Sequence, residues 1–169
     1  MILFHRLKRA ILTWPDGRKW RVCFIIGVVS LVLIAAIAGF GCLLIWQPLW
    51  HGAAVRLVTV TAMPAFTEEL VFRGVLVPDK GEIRRPVLWI GLAVLVFMLW
   101  HVFEAVVILP NAQLFLAPAF LISAGVLGLA CAIMRYHTGS LWPAGVLHGL
   151  LVWLWQTLLG GPDIAQLMR

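Results

Sequence analysis

Six ionisable residues lie inside long apolar stretches of this 169-residue chain, where charged side chains are costly and usually functional. Two are adjacent glutamates, followed four positions later by an arginine. A third glutamate and two histidines lie in later stretches. Carboxylates and imidazoles that meet in one place can abstract and return protons, which is general acid–base chemistry. The six residues are Glu68, Glu69, Arg73, His101, Glu104 and His148.

The adjacent glutamates are separated by the geometry of a helix. Glu69 and Arg73 are four residues apart and share a face, which predicts a salt bridge between them. Glu68 projects about 100° away from Glu69, so it remains free to face another group. Buried ion pairs seldom add net stability, which makes a purely structural role for these charges the weaker interpretation.

The histidines occupy two different apolar stretches. His101 follows Phe97 by four residues and precedes Glu104 by three, so the three side chains lie near one helix face. A neutral imidazole beside an intramembrane carboxylate is suited to proton transfer. His148 lies about 10 Å into the last stretch by helical rise. His137 falls in a predicted loop, with ordinary solvent contact.

The composition predicts that the solvent of this chain is lipid. Hydrophobic residues make up 63% and charged residues 12%, and the mean hydropathy is +1.02. Soluble domains are roughly 45–50% apolar and about 25% charged. The chain has three cysteines and no Cys-x-x-Cys pair, so its cysteines indicate neither a disulfide framework nor a zinc ligand set.

Five apolar stretches are long enough to be transmembrane helices. Because the stretches are continuous rather than alternating, they exclude a β-barrel. We therefore predict an all-α polytopic bundle that forms one domain over residues 22–169, after a basic segment at residues 1–21. The first stretch is too long for a cleaved signal peptide and is interpreted as an anchor. The predicted spans are 22–46, 55–77, 86–109, 114–134 and 141–159.

Basic residues are distributed unequally between the two sides of the predicted bundle. Six of the 13 Lys and Arg residues lie between Arg6 and Arg21, just before the first stretch, which places the N-terminus in the cytoplasm. The outer loops then hold only Arg56 and Arg169. No aromatic–basic motif accompanies the net charge of +6, so the expected partner is the bilayer and not nucleic acid. The same orientation places four later basic residues in the cytoplasm: Lys80, Arg84, Arg85 and Arg135.

The motifs resemble those of the CPBP family, the CAAX proteases and bacteriocin-processing membrane proteins that include type II CAAX prenyl endopeptidases. The family's Glu-Glu-x-x-x-Arg motif is met by Glu68–Arg73, and its Phe-x-x-x-His motif by Phe97–His101. His148 supplies the first half of the third motif, His-x-x-x-Asn. The likeness covers Thr59–Trp155, and three motifs in order on three membrane helices are far more specific than any one of them.

The resemblance implies an intramembrane endopeptidase of glutamic type. In the family, the first glutamate and the second-motif histidine activate a water that attacks a peptide carbonyl, while the third motif stabilises the oxyanion. By that likeness Glu68 is the general base, His101 is its partner and His148 is an oxyanion donor. No cofactor is expected. The supporting residues would be Glu69, Arg73 and Phe97, with Glu104 and Gln156 as accessory candidates.

The implied substrate is a membrane-embedded or lipidated protein, cut near its C-terminus, or a small peptide. The implied location is a bacterial inner membrane, which the chain would span several times. Two alternatives remain open: a weakly active or inactive family member that serves as a membrane scaffold or immunity protein, and a zinc-dependent intramembrane protease. A transporter is less favoured, because no inverted repeat is evident.

One position departs from the family's pattern. The asparagine of the third motif is replaced by Val152, which cannot donate a hydrogen bond. Loss of one oxyanion donor typically costs about 10²–10³ in rate. Gln156, Asn111 or a backbone N–H are the candidates to substitute for it.

The depths of two site residues also disagree. Measured along their stretches, Glu68 and His101 differ in depth by about 9 Å. We expect a helix that continues past Val77, together with a membrane-dipping start at Pro86, to close this gap.

Overall fold

The computed structural model describes residues 2–169, and within them every regular element is helical. This confirms the all-α fold class. Short π-helical turns cover Thr61–Phe66, Leu70–Val75 and Glu104–Ile108, and one 3₁₀ turn covers Gln113–Leu116. The α-helices are α1 (Ile2–Leu12), α2 (Gly17–Phe40), α3 (Ala53–Val60), α4 (Thr67–Glu69), α5 (Pro86–Phe103), α6 (Pro118–Thr138), α7 (Trp142–Leu158) and α8 (Ile164–Met168).

Three helical segments are long and apolar enough to cross a membrane: Gly17–Phe40, Pro86–Ile108 and Pro118–Thr138. The other two predicted spans are a continuous helix of 17 residues, α7, and an interrupted one. These segments make the chain an integral membrane protein.

The first membrane helix differs from its predicted bounds at both ends. It begins at Gly17 rather than residue 22, because the Asp16 carboxylate accepts a hydrogen bond from the Lys19 N–H and caps the helix within the basic segment. It ends at Phe40 rather than residue 46. The remaining apolar residues instead pair with the end of α7, where the Ile45 N–H donates to the Leu159 carbonyl.

The fourth predicted span is displaced by four residues. Helix α6 starts at Pro118, whose fixed φ suits the first turn, and ends before Gly139, which adopts a left-handed φ of 76°. His137 therefore lies in the last turn of the helix and is half-buried. Its predicted placement in a loop is wrong, because Gly139 rather than the polar residues before it terminates the helix.

The second predicted span is a helix interrupted near its middle, called here the broken helix (residues 53–75). Met63 is extended, with φ −148° and ψ 123°, as the residue before a proline often is. Helical turns resume after Pro64 and end at Val75. The predicted continuation past Val77 is therefore wrong.

The chain passes five times between two ends of the bundle. At the basic end, α1 covers the loops after the broken helix and after α6: the Leu141 N–H donates to the Ala10 carbonyl. At the far end, the loops after α2 and α5 meet the C-terminal segment, and the Asn111 N–H donates to the Leu167 carbonyl. The predicted cytoplasmic basic residues thus lie together at one end.

Small residues allow the helices to approach closely. A Cβ atom on Gly41, at the far end of α2, would lie only 2.2 Å from the Cβ of Ala119 at the start of α6. On α7, a Cβ on Gly149 would lie 2.6 Å from the Thr61 hydroxyl of the broken helix. These approaches draw α2, α5, α6, α7 and the broken helix around a common centre.

Candidate active site

The predicted salt bridge of the broken helix is present and buried. Glu69 is 0% exposed and Arg73 is 1% exposed, and an Arg73 guanidinium nitrogen lies 3.2 Å from the Glu69 carboxylate. This contact is an ion pair by distance and does not have hydrogen-bond geometry. The guanidinium also lies over the ring of Phe97, 4.1 Å from its centroid, where a cation is attracted by the π face.

Glu69 has a second partner that helical spacing did not reveal. The Nδ1 atom of His148 lies 2.9 Å from Oε1 of Glu69, in position to donate its proton to that carboxylate. A histidine held in this way presents its Nε2 atom to the other side of the ring. Glu69 therefore orients His148 as well as neutralising Arg73. The i,i+4 rule could not find this contact, because the two residues are 79 positions apart.

Phe97 packs against both histidines from the centre of the site. Its ring meets His101 edge-on at 4.7 Å and His148 edge-on at 5.9 Å between centroids. Space for this ring comes from Gly128 on α6, where a Cβ would lie 3.0 Å from Phe97 and 3.1 Å from Arg73. Sequence reasoning missed Gly128. A glycine inside a helical stretch was its only signal, and that signal does not name a partner.

Glu68 and His101 face one another across the site. Nδ1 of His101 lies 2.9 Å from the Phe97 carbonyl, to which it can donate, so Nε2 is left free. Glu68 is 8% exposed, its Oε2 atom makes no hydrogen bond, and that atom lies 3.9 Å from Nε2 of His148. Glu68, His101 and Glu104 each place one polar atom within 4.8 Å of the others. These three are also the described residues best placed to hold a metal ion.

The predicted difference in depth does not keep the two side chains apart, since polar atoms of Glu68 and His101 lie within 4.8 Å, and the direction of the side chains contributes to this. Helix α5 begins at Pro86, and the broken helix stops at Val75, so neither helix is extended to meet the other. Side chains lean toward the N-terminus of their own helix. The two helices run in opposite directions, so Glu68 leans toward the far end and His101 leans toward the basic end. The two residues therefore approach from different depths.

These polar residues line one cavity of about 190 Å³. The rest of its wall is largely apolar and comes from the far-end halves of α2, α6 and α7 and from the C-terminal segment. A carboxylate in such surroundings has few competing waters, which strengthens its interactions with a bound group. The polar lining residues are Glu68, His101, Glu104, Ser123, His148 and Gln156.

The position of the missing asparagine is on this wall. Val152 lines the cavity and offers it only methyl groups. The Gln156 amide also lines the cavity, but it donates to the Pro162 carbonyl. Asn111 is exposed in the loop after α5 and does not line the cavity. The buried hydroxyl of Ser123 makes no hydrogen bond, and sequence reasoning missed it because an isolated serine carries no motif.

Comparison with known proteins assigns the chain to a family. Neither the curated proteins nor the solved structures contain a significant match to it. A family model described as type II CAAX prenyl endopeptidase Rce1-like matches residues 49–154, which is more than half of the chain. The matched region contains Glu68, His101 and His148. The chain therefore belongs to the Rce1-like family of type II CAAX prenyl endopeptidases, and it is a membrane protein of a protease family.

Proposed function

We propose that this chain is an intramembrane endopeptidase of glutamic type. It hydrolyses a peptide bond near the C-terminus of a membrane-anchored or lipidated protein, or in a small peptide. The observation that carries the proposal is the convergence of Glu68, His101 and His148 on one apolar cavity, with Glu68 and His101 polar atoms within 4.8 Å. The location that we propose is a bacterial inner membrane.

The contacts of the two histidines give each a separate role. His101 donates Nδ1–H to the Phe97 carbonyl, so its Nε2 lone pair can accept a hydrogen bond from a water. Glu68 takes a proton from the same water as that water attacks the carbonyl carbon. His148 acts in its doubly protonated form, in which Nδ1–H donates to Glu69 and Nε2–H is directed at the oxyanion that forms. The proton on Glu68 then passes to the leaving amine.

The test is cleavage of a fluorescence-quenched peptide, carrying a farnesylated cysteine near its C-terminus, by purified protein in lipid vesicles. Glu68→Ala and His101→Ala should lower kcat by about 10²–10⁴, because each removes a proton-transfer group. Glu82→Gln and His137→Gln are matched controls outside the cavity and should leave cleavage intact. Wild-type activity in either cavity variant would contradict the proposal.

An inactive scaffold or immunity protein is the second candidate, and the apolar Val152 on the cavity wall favours it. A protein of that kind would need the polar cluster only for packing. Glu68→Gln keeps the shape of the side chain and should then leave the cellular phenotype unchanged. The same substitution abolishes the phenotype if the chain is a protease.

A zinc-dependent protease is the third candidate, favoured by the proximity of Glu68, His101 and Glu104. Two carboxylates and an imidazole form an acceptable ligand set for zinc. The nearby Arg73 charge opposes a cation there. Elemental analysis of the purified protein, with cleavage measured before and after a chelator, separates this candidate from the glutamic type.

A further inference from the structure

We propose that Glu104 is a further catalytic residue, which donates a hydrogen bond to the oxyanion as a neutral carboxylic acid. It replaces the asparagine whose position is held by Val152. This inference rests on the proposed endopeptidase function, and none of the three family motifs includes Glu104.

The position of Glu104 brings its carboxyl group to the reacting atoms. It follows His101 by three residues, at the point where α5 becomes a π-helical turn, and it lines the same cavity. Its carboxyl lies within 4.8 Å of polar atoms of Glu68 and His101. A carbonyl attacked by a water held between those two residues is therefore within reach of Glu104.

The other candidate donors are engaged or lie elsewhere. The Gln156 amide is bound to the Pro162 carbonyl, and Asn111 lies off the cavity wall. The indole N–H of Trp100 lies beside the carboxyl groups of Glu68 and Glu104 without a hydrogen bond of good geometry, and Trp100 does not line the cavity. Ser123 on α6 offers a hydroxyl without a partner there, and its contribution is tested separately below.

The charges of the site balance when Glu104 is neutral. Glu69 is paired with Arg73, and an ionised Glu68 faces the Nε2–H of a doubly protonated His148. A third negative charge in the apolar cavity would have no cation beside it. Two carboxyl groups this close share a proton, because they cannot both be ionised at low cost. A neutral carboxylic acid held by an apolar site can stabilise an oxyanion, and this form of Glu104 has the O–H that a carboxylate lacks.

The step that follows conserves atoms and charge. The water oxygen forms a bond to the carbonyl carbon, its proton moves to Glu68, and the carbonyl π electrons move to the oxygen. That oxyanion accepts hydrogen bonds from His148 and from Glu104, which keeps its proton. When the C–N bond breaks, the electron pair on oxygen restores the carbonyl and the proton on Glu68 passes to the leaving nitrogen.

Three variants test this role with the same farnesylated quenched peptide. Glu104→Leu removes the donor and should lower kcat by about 10²–10³ with KM little changed. Glu104→Gln keeps an N–H donor and should retain activity within about tenfold of wild type. Adding Val152→Asn to Glu104→Leu restores the donor on α7 and should recover most of the lost kcat. Val106→Leu, an exposed position in the same π-helical turn, is the matched control.

Each outcome bears on the inference. Wild-type kcat in Glu104→Leu overturns it. Equal loss in Glu104→Gln and Glu104→Leu, with no recovery by Val152→Asn, also overturns it, since the carboxyl would then transfer a proton or support packing. A comparable loss of kcat confined to Ser123→Ala assigns the donor to α6 instead. Activity that survives Glu68→Ala, or no cleavage by the parent chain, overturns the proposed function itself and is recognised separately.

Discussion

The two ends of the bundle are built by opposite means. At the basic end, charged groups are paired: Arg135 is fully buried and donates to Asp79 at 2.9 Å, Arg9 lies 3.3 Å from the same carboxylate, and Arg6 pairs with Glu82. At the far end, the walls are apolar, and backbone hydrogen bonds attach the C-terminal segment to the loops. The basic end is filled by side chains, and the far end contains the cavity.

Because of this difference, buried side chains lie between the polar groups of the cavity and the basic end of the bundle. Between Arg73 and the basic surface lie fully buried residues such as Val77 and Leu141. Between His148 and the far surface lies the cavity, covered by the segment that includes Ile164 and Leu167. The distribution of Lys and Arg predicts that the basic end is cytoplasmic, so we expect a substrate to reach the site from the opposite half of the bilayer.

The largest effect should come from labelling the cavity from each side. The test variant carries Val152→Cys and has Cys23, Cys42 and Cys131 changed to alanine. Its new thiol should react with a membrane-impermeant cationic methanethiosulfonate in intact cells. It should remain unlabelled when the reagent has access only to the cytoplasmic side.

The chain supplies its own orientation control for that measurement. Cys42 is exposed at the far end, so the variant that retains only this cysteine reports which side is outside. Labelling of the Val152→Cys variant from the cytoplasmic side alone would show that the cavity opens toward the basic end and not toward the far end.

A smaller effect should distinguish the stabilities of the two ends. Asp79→Ala leaves Arg135 buried without its partner and should lower the free energy of unfolding by about 3–5 kcal/mol. Asp163→Ala at the far end removes only the cap of α8 and should cost about 0.5–2 kcal/mol. Unfolding in detergent, followed by circular dichroism, measures both. Equal losses of unfolding free energy in the two variants would show that the ion pairs do not make the basic end more stable than the far end.

The smallest effect concerns acid stability at the basic end. The hydrogen bond from Arg6 holds the pKa of Glu82 below its ordinary value of 4.5. A carboxyl whose pKa is lowered by folding contributes stability above its unfolded pKa, and that contribution is lost as the pH falls through the folded value. Glu82 is partly exposed, so the contribution should be below about 1 kcal/mol. Melting temperatures of wild type and Glu82→Gln should differ at pH 7 and converge below pH 4.

Much of the fold could be predicted because its signals are local. Long apolar stretches must be helical in lipid, and the unequal distribution of lysine and arginine predicts which loops share a side. The Glu69–Arg73 pair was predictable because both residues lie on one helix. The break at Met63 and the displaced start of α6 were not, since hydropathy measures how apolar a stretch is and not where its backbone turns.

The sequence by itself determined the chemistry that is available: three carboxylates, two histidines and one arginine in stretches that must lie in lipid. Only the tertiary structure decided which groups each carboxylate meets. Helical arithmetic assigned Glu69 to Arg73, but the folded chain also gives it His148, leaves Oε2 of Glu68 without a hydrogen bond, and adds Glu104 to the same cavity. The reason is that contacts between helices depend on depth, crossing and side-chain direction, which no local spacing encodes.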